Sequence, residues 1–209
     1  MPASPNEERP WTLLLTYLAM RAFFRAFNSI KVIGQEKVPP SGPLIIACNH
    51  RSNADPPALF SFLALVRLPN TIAKKELFSI WPLGYFLPRW GAIPVDRVRE
   101  GGDLGALRGC LAALKRGGCL AIFPEGTRAK GQALKPKSGV ALMAHKTGAP
   151  VLCVRIFNSE NFSKLGKITI KYGGIRRFEP PADGDLKAAY ARFSETIMAD
   201  IFSITEEQH

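Results

Sequence analysis

Six short runs rich in apolar and β-branched residues recur along this chain, each bounded by Gly, Pro or Asn. They are PLIIACN (43–49), TIAK (71–74), AIPVD (92–96), CLAIFP (119–124), PVLCVRIF (150–157) and KITIKY (167–172). Helical candidates lie between or after them, near 56–66, 77–87, 103–116 and 138–147, with a last amphipathic one near 185–203. A sheet whose strands alternate with helices buries both of its faces. The pattern therefore predicts an α/β fold: a single domain with a central, mostly parallel or mixed sheet covered by helices. No repeat, low-complexity tract or linker interrupts it, and 209 residues with 46% hydrophobic content suffice for one well-buried core.

The N-terminus is different in kind. MPASPNEERP is polar and acidic and lacks the basic start of a secretory signal. WTLLLTYLAMRAFFRAFN follows, and its uninterrupted apolar run from Trp11 to Met20 is about half the ~20 residues that a spanning helix needs. Arg21 and Arg25 then share one helical face, while Trp11, Phe23, Phe24 and Phe27 supply bulky apolar surface. The segment reads as an amphipathic helix in or on a membrane interface, arginines toward lipid phosphates. The alternative is a helix packed on the domain's own core. Residues 1–30 are thus expected to form a tail and interfacial helix, and 31–209 the α/β domain.

Charge is uneven. The chain carries 28 Lys and Arg against 17 Asp and Glu, and from Glu179 onward there are two bases against seven acids, so the excess lies in residues 1–178. Such a body attracts polyanions: nucleic acid, an anionic membrane surface or phosphorylated small molecules. No recognised nucleic-acid-binding motif is present, and the aromatics cluster in the N-terminal segment. The four cysteines, Cys48, Cys110, Cys119 and Cys153, sit in apolar stretches without metal-ligand spacing. They read as buried reduced thiols of a cytoplasm-facing protein. Neither a metal nor a nucleotide cofactor is indicated, since GxGxxG, GxxxxGK[ST] and HExxH are all absent.

In open α/β sheets, sites form beyond the carboxyl ends of strands, and the unusual residues collect there. His50 and Asp55 follow the first run in NHRSNAD, Lys74 ends the second in AKKEL, and Arg97 follows the third in GAIPVDR. Glu125, Gly126, Thr127 and Arg128 follow the fourth in FPEGTR. A carboxylate that holds one imidazole nitrogen as a donor leaves the other free as a base. Asp55 would reach His50 either from N3 of a helix capped by Ser52, or as the cap itself with Pro56 at N1. With no GxSxG elbow and no local signature of a cysteine nucleophile, the proton would come from a substrate hydroxyl or from water. The turn at Gly126 and the fork of Arg128 suit phosphate oxygens.

Four blocks in this order and spacing, NHRSNAD, AKKEL, GAIPVDR and FPEGTR, resemble the glycerolipid acyltransferase family, which includes bacterial 1-acylglycerol-3-phosphate acyltransferases. The resemblance runs from about residue 30 to 175. It implies His50 as general base and Asp55 as its orienting group, with Arg97, Glu125, Gly126, Thr127 and Arg128 on the acceptor's glycerophosphate and Lys74 on phosphate. It further implies acyl transfer from acyl-CoA or acyl carrier protein, as co-substrate, to the free hydroxyl of lysophosphatidic acid. Backbone donors near the His50 loop or the EGTR turn would hold the oxyanion. The partners implied are membrane lipids and no nucleic acid, with the protein monotopic or peripheral on the cytoplasmic face of the inner membrane. Ala129 stands where serine commonly follows the EGTR block, and Cys153 where a second proline is frequent. Glycerol-3-phosphate, a lyso-ornithine lipid or another lysophospholipid stay open as acceptors. A non-catalytic relative would be expected to lose the base, and His50 and Asp55 are both present.

Overall fold

The computed structural model describes residues 11–96, 103–128, 135–182 and 184–206. A helix, α1 (Trp11–Phe27), leads into the edge strand β1 (Lys31–Ile33) and then β2 (Leu44–Cys48) and α2 (Asp55–Leu63). After these come β3 (Pro69–Lys74), α3 (Leu83–Arg89), β4 (Ala92–Val95), α4 (Leu104–Lys115), β5 (Cys119–Ile122) and α5 (Gly139–Thr147). The chain ends with β6 (Val151–Phe157), β7 (Thr169–Arg176) and α6 (Leu186–Ser203). The seven strands form one sheet in the order β1-β7-β6-β2-β5-β3-β4. All pairings are parallel except that of β6 with β7, so the sheet is mixed, with a five-stranded parallel run from β6 to the β4 edge.

Alternation along the buried strands divides the core in two. Leu44, Ile46 and Cys48 of β2, with Leu152 and Val154 of β6, join α1 and α2 on one face. Ile45 and Ala47, with Val151 and Cys153, meet α4, α5 and α6 on the other. Because β2 is buried at every position, its sequence is a continuous apolar run rather than an alternating one. α1 belongs to the first layer: Leu13, Tyr17 and Phe24 are buried in it. The helix ends at Asn28, whose buried side chain donates to the carbonyls of Phe162 and Gly166 and so ties α1 to the segment before β7. Among the described residues no helix is long and apolar enough to cross a membrane.

All four cysteines are buried and free. Burial raises the thiol of Cys48 and pushes those of Cys110 and Cys153 up to about 12, so none of these three supplies a thiolate near neutral pH.

Two elements differ from the sequence expectation. β1 spans only three residues, too few for a period-2 pattern to register, and pairs with β7 through contacts 138 positions apart in sequence, such as Lys31 with Thr169. The helix expected over 77–87 is split into a 3-10 turn at Lys75–Ser79 and α3, with a cis Trp81-Pro82 bond between them. Pro82 lacks an amide hydrogen and restricts the residue before it, which breaks a continuous helix there.

Two buried polar side chains hold the ends of the sheet. At the amino end, the Arg67 guanidinium donates to the carbonyls of Pro39, Gly42 and Gly117. At the carboxyl end, Asn49 continues the ladder beyond β2: its amide donates to Ile156 O at 3.0 Å and its oxygen accepts from Ile156 N at 2.7 Å. Asn49→Ala leaves both groups of Ile156 unpaired in the core, an expected loss of about 2–3 kcal/mol. Thermal unfolding should show this as a fall in Tm of roughly 4–12 °C.

Candidate active site

The crossover from β2 passes through α2 to β3, on the side of β5, whereas the crossover from β5 passes through α5 to β6, on the side of β2. These helices cover opposite faces of the sheet. The carboxyl ends of β2 and β5 therefore flank a crevice at a topological switch point. His50 and FPEGTR occupy its two sides.

His50 is held by its own loop. Its Nδ1 lies 3.0 Å from Asp55 Oδ2, and the same oxygen accepts from the amides of Arg51 and Ser52, each at 2.7 Å. Neither expected capping arrangement forms: Ala54 is the N-cap and Asp55 opens α2, its carboxylate reaching back to the Ser52 amide while the Ser52 hydroxyl accepts from Ala54 N. Pro56 and Pro57 then set the first turn of α2. Since a carboxylate only accepts, the imidazole proton resides on Nδ1 and Nε2 is left as the acceptor that can act as a base. The His50 side chain is 12% exposed and Asp55 fully buried. The ring also stacks on Phe123, with centroids 4.4 Å apart and planes at 29°.

His50 opens into a cavity of about 370 Å³ lined by Asn53, Phe60, Lys74, Leu77, Thr127 and Arg128. Three of the site residues expected beside it, Lys74, Thr127 and Arg128, are thus brought to the same space. Lys74 makes only a half-exposed pair with Glu76 at 3.6 Å, so its charge is available to a ligand at little cost. Lys74 and Arg128 are the groups here suited to phosphate oxygens.

Glu125 and Gly126 lie elsewhere. Glu125 is 4% exposed and lies beside the His50 loop, and neither carboxylate oxygen has a hydrogen-bond partner among the described residues within ordinary geometric limits. Burial raises its pKa above the ordinary carboxylate range, an effect partly offset by the nearby His50 amide and ring and reinforced by Asp55. Gly126 adopts φ +71° in the turn closed by its amide on Phe123 O, and a Cβ there would stand 2.7 Å from Lys137 Cε. The positive φ favours glycine here, whereas the lysine chain could shift to admit a Cβ. With Phe123 and Lys137, Gly126 faces a second, mainly apolar cavity of about 470 Å³ that reaches Val140 and Met143. Ile72 lines both cavities. Arg97 falls outside the described residues, and the residues flanking that stretch are joined by Asp96 N donating to Asp103 Oδ2 at 2.8 Å.

Sequence reasoning overlooked Phe123, Asn49 and Lys137. Phe123 was legible only as the end of a strand, because its partner ring comes from a different strand end. Lys137 carried a weak signal in KPKSG, nine residues beyond the EGTR block.

Loss of the stacked ring should free the imidazole. Phe123→Ala is expected to lower kcat by about 10- to 100-fold, the range for a misplaced catalytic group, with Phe123→Tyr retaining most activity and both folded by circular dichroism. A second expectation concerns Glu125. Its proton is held to higher pH in the folded than in the unfolded chain, so the associated stability is present at acidic pH and is lost as pH rises from the ordinary carboxylate range through the raised value. In Tm measured against pH, Glu125→Gln should remove that decline and exceed the wild type at neutral pH.

A family model described as Acyltransferase matches residues 29–157. The chain is 32% identical over 155 residues to the 1-acyl-sn-glycerol-3-phosphate acyltransferase of Borreliella burgdorferi, a match covering 71% of this chain and 61% of that protein. To the corresponding protein of Bacillus subtilis it is 31% identical over 137 residues, covering 64% and 65%. It is 29% identical over 153 residues to a chloroplastic 1-acyl-sn-glycerol-3-phosphate acyltransferase of Brassica napus, covering 72% and 44%. The chain thus spans less than two thirds of the length of these relatives. The crystal structure of the 1-acyl-sn-glycerophosphate acyltransferase PlsC from Thermotoga maritima is similar with a TM-score of 0.68 at 26% identity, over 95% of this chain and 83% of that one. The matched segment carries His50, Asp55, Lys74 and the whole EGTR turn in one stretch covering more than half of the residues, and by that match the chain belongs to the acyltransferase family.

Proposed function

We propose that this protein transfers a fatty acyl group from a thioester donor to the free hydroxyl of 1-acylglycerol-3-phosphate, forming phosphatidic acid. The observation that carries this reading is the His50–Asp55 contact at the mouth of a cavity that also presents Lys74 and Arg128. A base beside two cations suits an acceptor that bears a hydroxyl near a phosphate. The names of the relatives favour lysophosphatidic acid over the other acceptors.

His50 Nε2 would take the hydroxyl proton as the oxygen attacks the thioester carbonyl, and Asp55 would stabilise the imidazolium. The thiolate of acyl-CoA or of acyl carrier protein then leaves, and no enzyme acyl intermediate forms. Arg51 and Ser52 already commit their amides to Asp55, so within this loop those donors are not free for the oxyanion. The EGTR turn and the two cations take that role. The apolar cavity behind Phe123 is suited to the donor's chain.

Membrane association follows from α1. While Leu13, Tyr17 and Phe24 face the core, Trp11, Leu14, Leu15, Leu18, Phe23 and Phe27 are exposed, and Arg25 is the one exposed charged residue of this helix. A helix apolar on its outer as well as its inner face needs a second apolar environment. The basic excess supplies attraction to anionic lipid. On this reading the protein is monotopic on the cytoplasmic face of the inner membrane.

Thiol release from long-chain acyl-CoA, or from acylated carrier protein, should depend on added lysophosphatidic acid. His50→Ala should reduce it by about 10²- to 10⁴-fold, the usual worth of a general base, without loss of fold. The wild type should cosediment with phosphatidylglycerol vesicles, and Leu15→Glu should release it into the supernatant. Undiminished turnover by His50→Ala would sink the proposed base, and a wild type that ignores vesicles would sink the membrane assignment.

A further inference from the structure

The loop that orients His50 has a second side. Asp55 Oδ2 accepts from both the His50 ring and the Arg51 amide, and the two consecutive side chains line different cavities. His50 lines the cavity described above. Arg51 instead lines a cavity of about 530 Å³ together with Ser52, Asn53, Arg128, Glu160, Phe162 and Ser163. Asn53 and Arg128 line both spaces, so the two adjoin at these residues.

The far wall of this second cavity reaches the outer face of α1. Phe162 packs against Phe24 at 5.6 Å and Phe23 at 6.0 Å, and Phe23 against Phe27 at 4.9 Å. Phe23 and Phe27 are 42% and 50% exposed. Asn28 pins this wall to the end of α1 through the carbonyls of Phe162 and Gly166. A continuous course therefore runs from exposed aromatic surface, over Phe162, past two arginines, to the base.

We infer that Arg51 and Arg128 form a phosphate subsite through which the lipid acceptor reaches His50, its chain lying over Phe162 and the Phe23–Phe27 edge of α1; this rests on the functional reading above. Arg51 is available for the task. Its present partner is Glu160 at 3.8 Å, with both side chains about half exposed, and such a pair is worth little. A phosphate monoester offers a guanidinium shorter, bidentate, charge-assisted bonds, so the ligand displaces Glu160. Coenzyme A and the phosphopantetheine of a carrier protein also bear phosphate. The aromatic course to α1 is what assigns the subsite to the acceptor.

The test uses the full chain in detergent, titrated calorimetrically with a short-chain soluble lysophosphatidic acid and separately with coenzyme A. Arg51→Gln should weaken the first about tenfold or more, as loss of a charge-assisted bond does, with Arg51→Lys intermediate and Glu160→Gln tighter than wild type. Coenzyme A affinity should be unmoved in all three. In initial-rate assays the Arg51→Gln defect should fall on the acceptor KM. Unchanged lysophosphatidic acid affinity in Arg51→Gln, or a loss confined to coenzyme A, overturns the subsite, and so does a wild type that binds no lysophosphatidic acid. A wild type that binds it in an Arg51-dependent way but never acylates it supports the subsite and removes the functional reading instead.

Discussion

One carboxylate oxygen organises the site. Asp55 Oδ2, buried at the start of α2, accepts from His50 Nδ1 and from the amides of Arg51 and Ser52. Three donors on one buried acceptor close the loop between β2 and α2, select the imidazole tautomer and send the side chains of His50 and Arg51 into separate cavities. A carboxylate so placed serves at once as helix-end partner, tautomer lock and counter-charge for an imidazolium. These roles are not separable, because each follows from the same geometry. Two of the three donors that meet Oδ2 are backbone amides held in place by the turn itself.

What the loop needs in turn is a rigid base, and the sheet provides it. Asn49, the residue before His50, is stitched to Ile156 of β6 by two hydrogen bonds. Phe123, at the end of β5, stacks on the imidazole. The base is therefore located by three neighbouring strands rather than by one flexible turn. The switch point matters because it opens a crevice between β2 and β5 while sending their crossovers to opposite faces, which leaves room for a cavity on each side of the catalytic loop and a third behind Phe123. Beside the loop lies the buried Glu125, whose carboxyl is held protonated to higher pH than usual by burial.

α1 packs on the core with one face and leaves apolar side chains exposed on the other. Leu13, Tyr17 and Phe24 complete the core, while Trp11, Leu15, Leu18 and Phe27 remain outside it. Seventeen residues that are apolar nearly all round cannot be satisfied by one packing partner. Arg21 and Arg25 lie over the ring of Phe62 at 5.1 and 5.8 Å, so their stems follow apolar surface and their charges reach its margin.

The sequence by itself determined the layered architecture and the contact between His50 and Asp55. β2, β5 and β6 are buried on both faces and therefore read as plain apolar runs, and His50 and Asp55 are only five residues apart, so local turn chemistry suffices to join them. The spacing of four blocks likewise carried the family. Only tertiary structure decided the rest: the stitch from Asn49 to Ile156, the Phe123 stack, the burial of Glu125, the side chain of Lys137 lying over Gly126, and the course from α1 past Phe162 to Arg51. β1, at three residues, was equally out of reach. Each of these joins residues far apart in the chain, by contacts that depend on which strands become neighbours and not on any local period. Short-range patterns are set by steric and hydrogen-bond rules acting within a turn or two, whereas the partner of a strand end is chosen by the whole sheet.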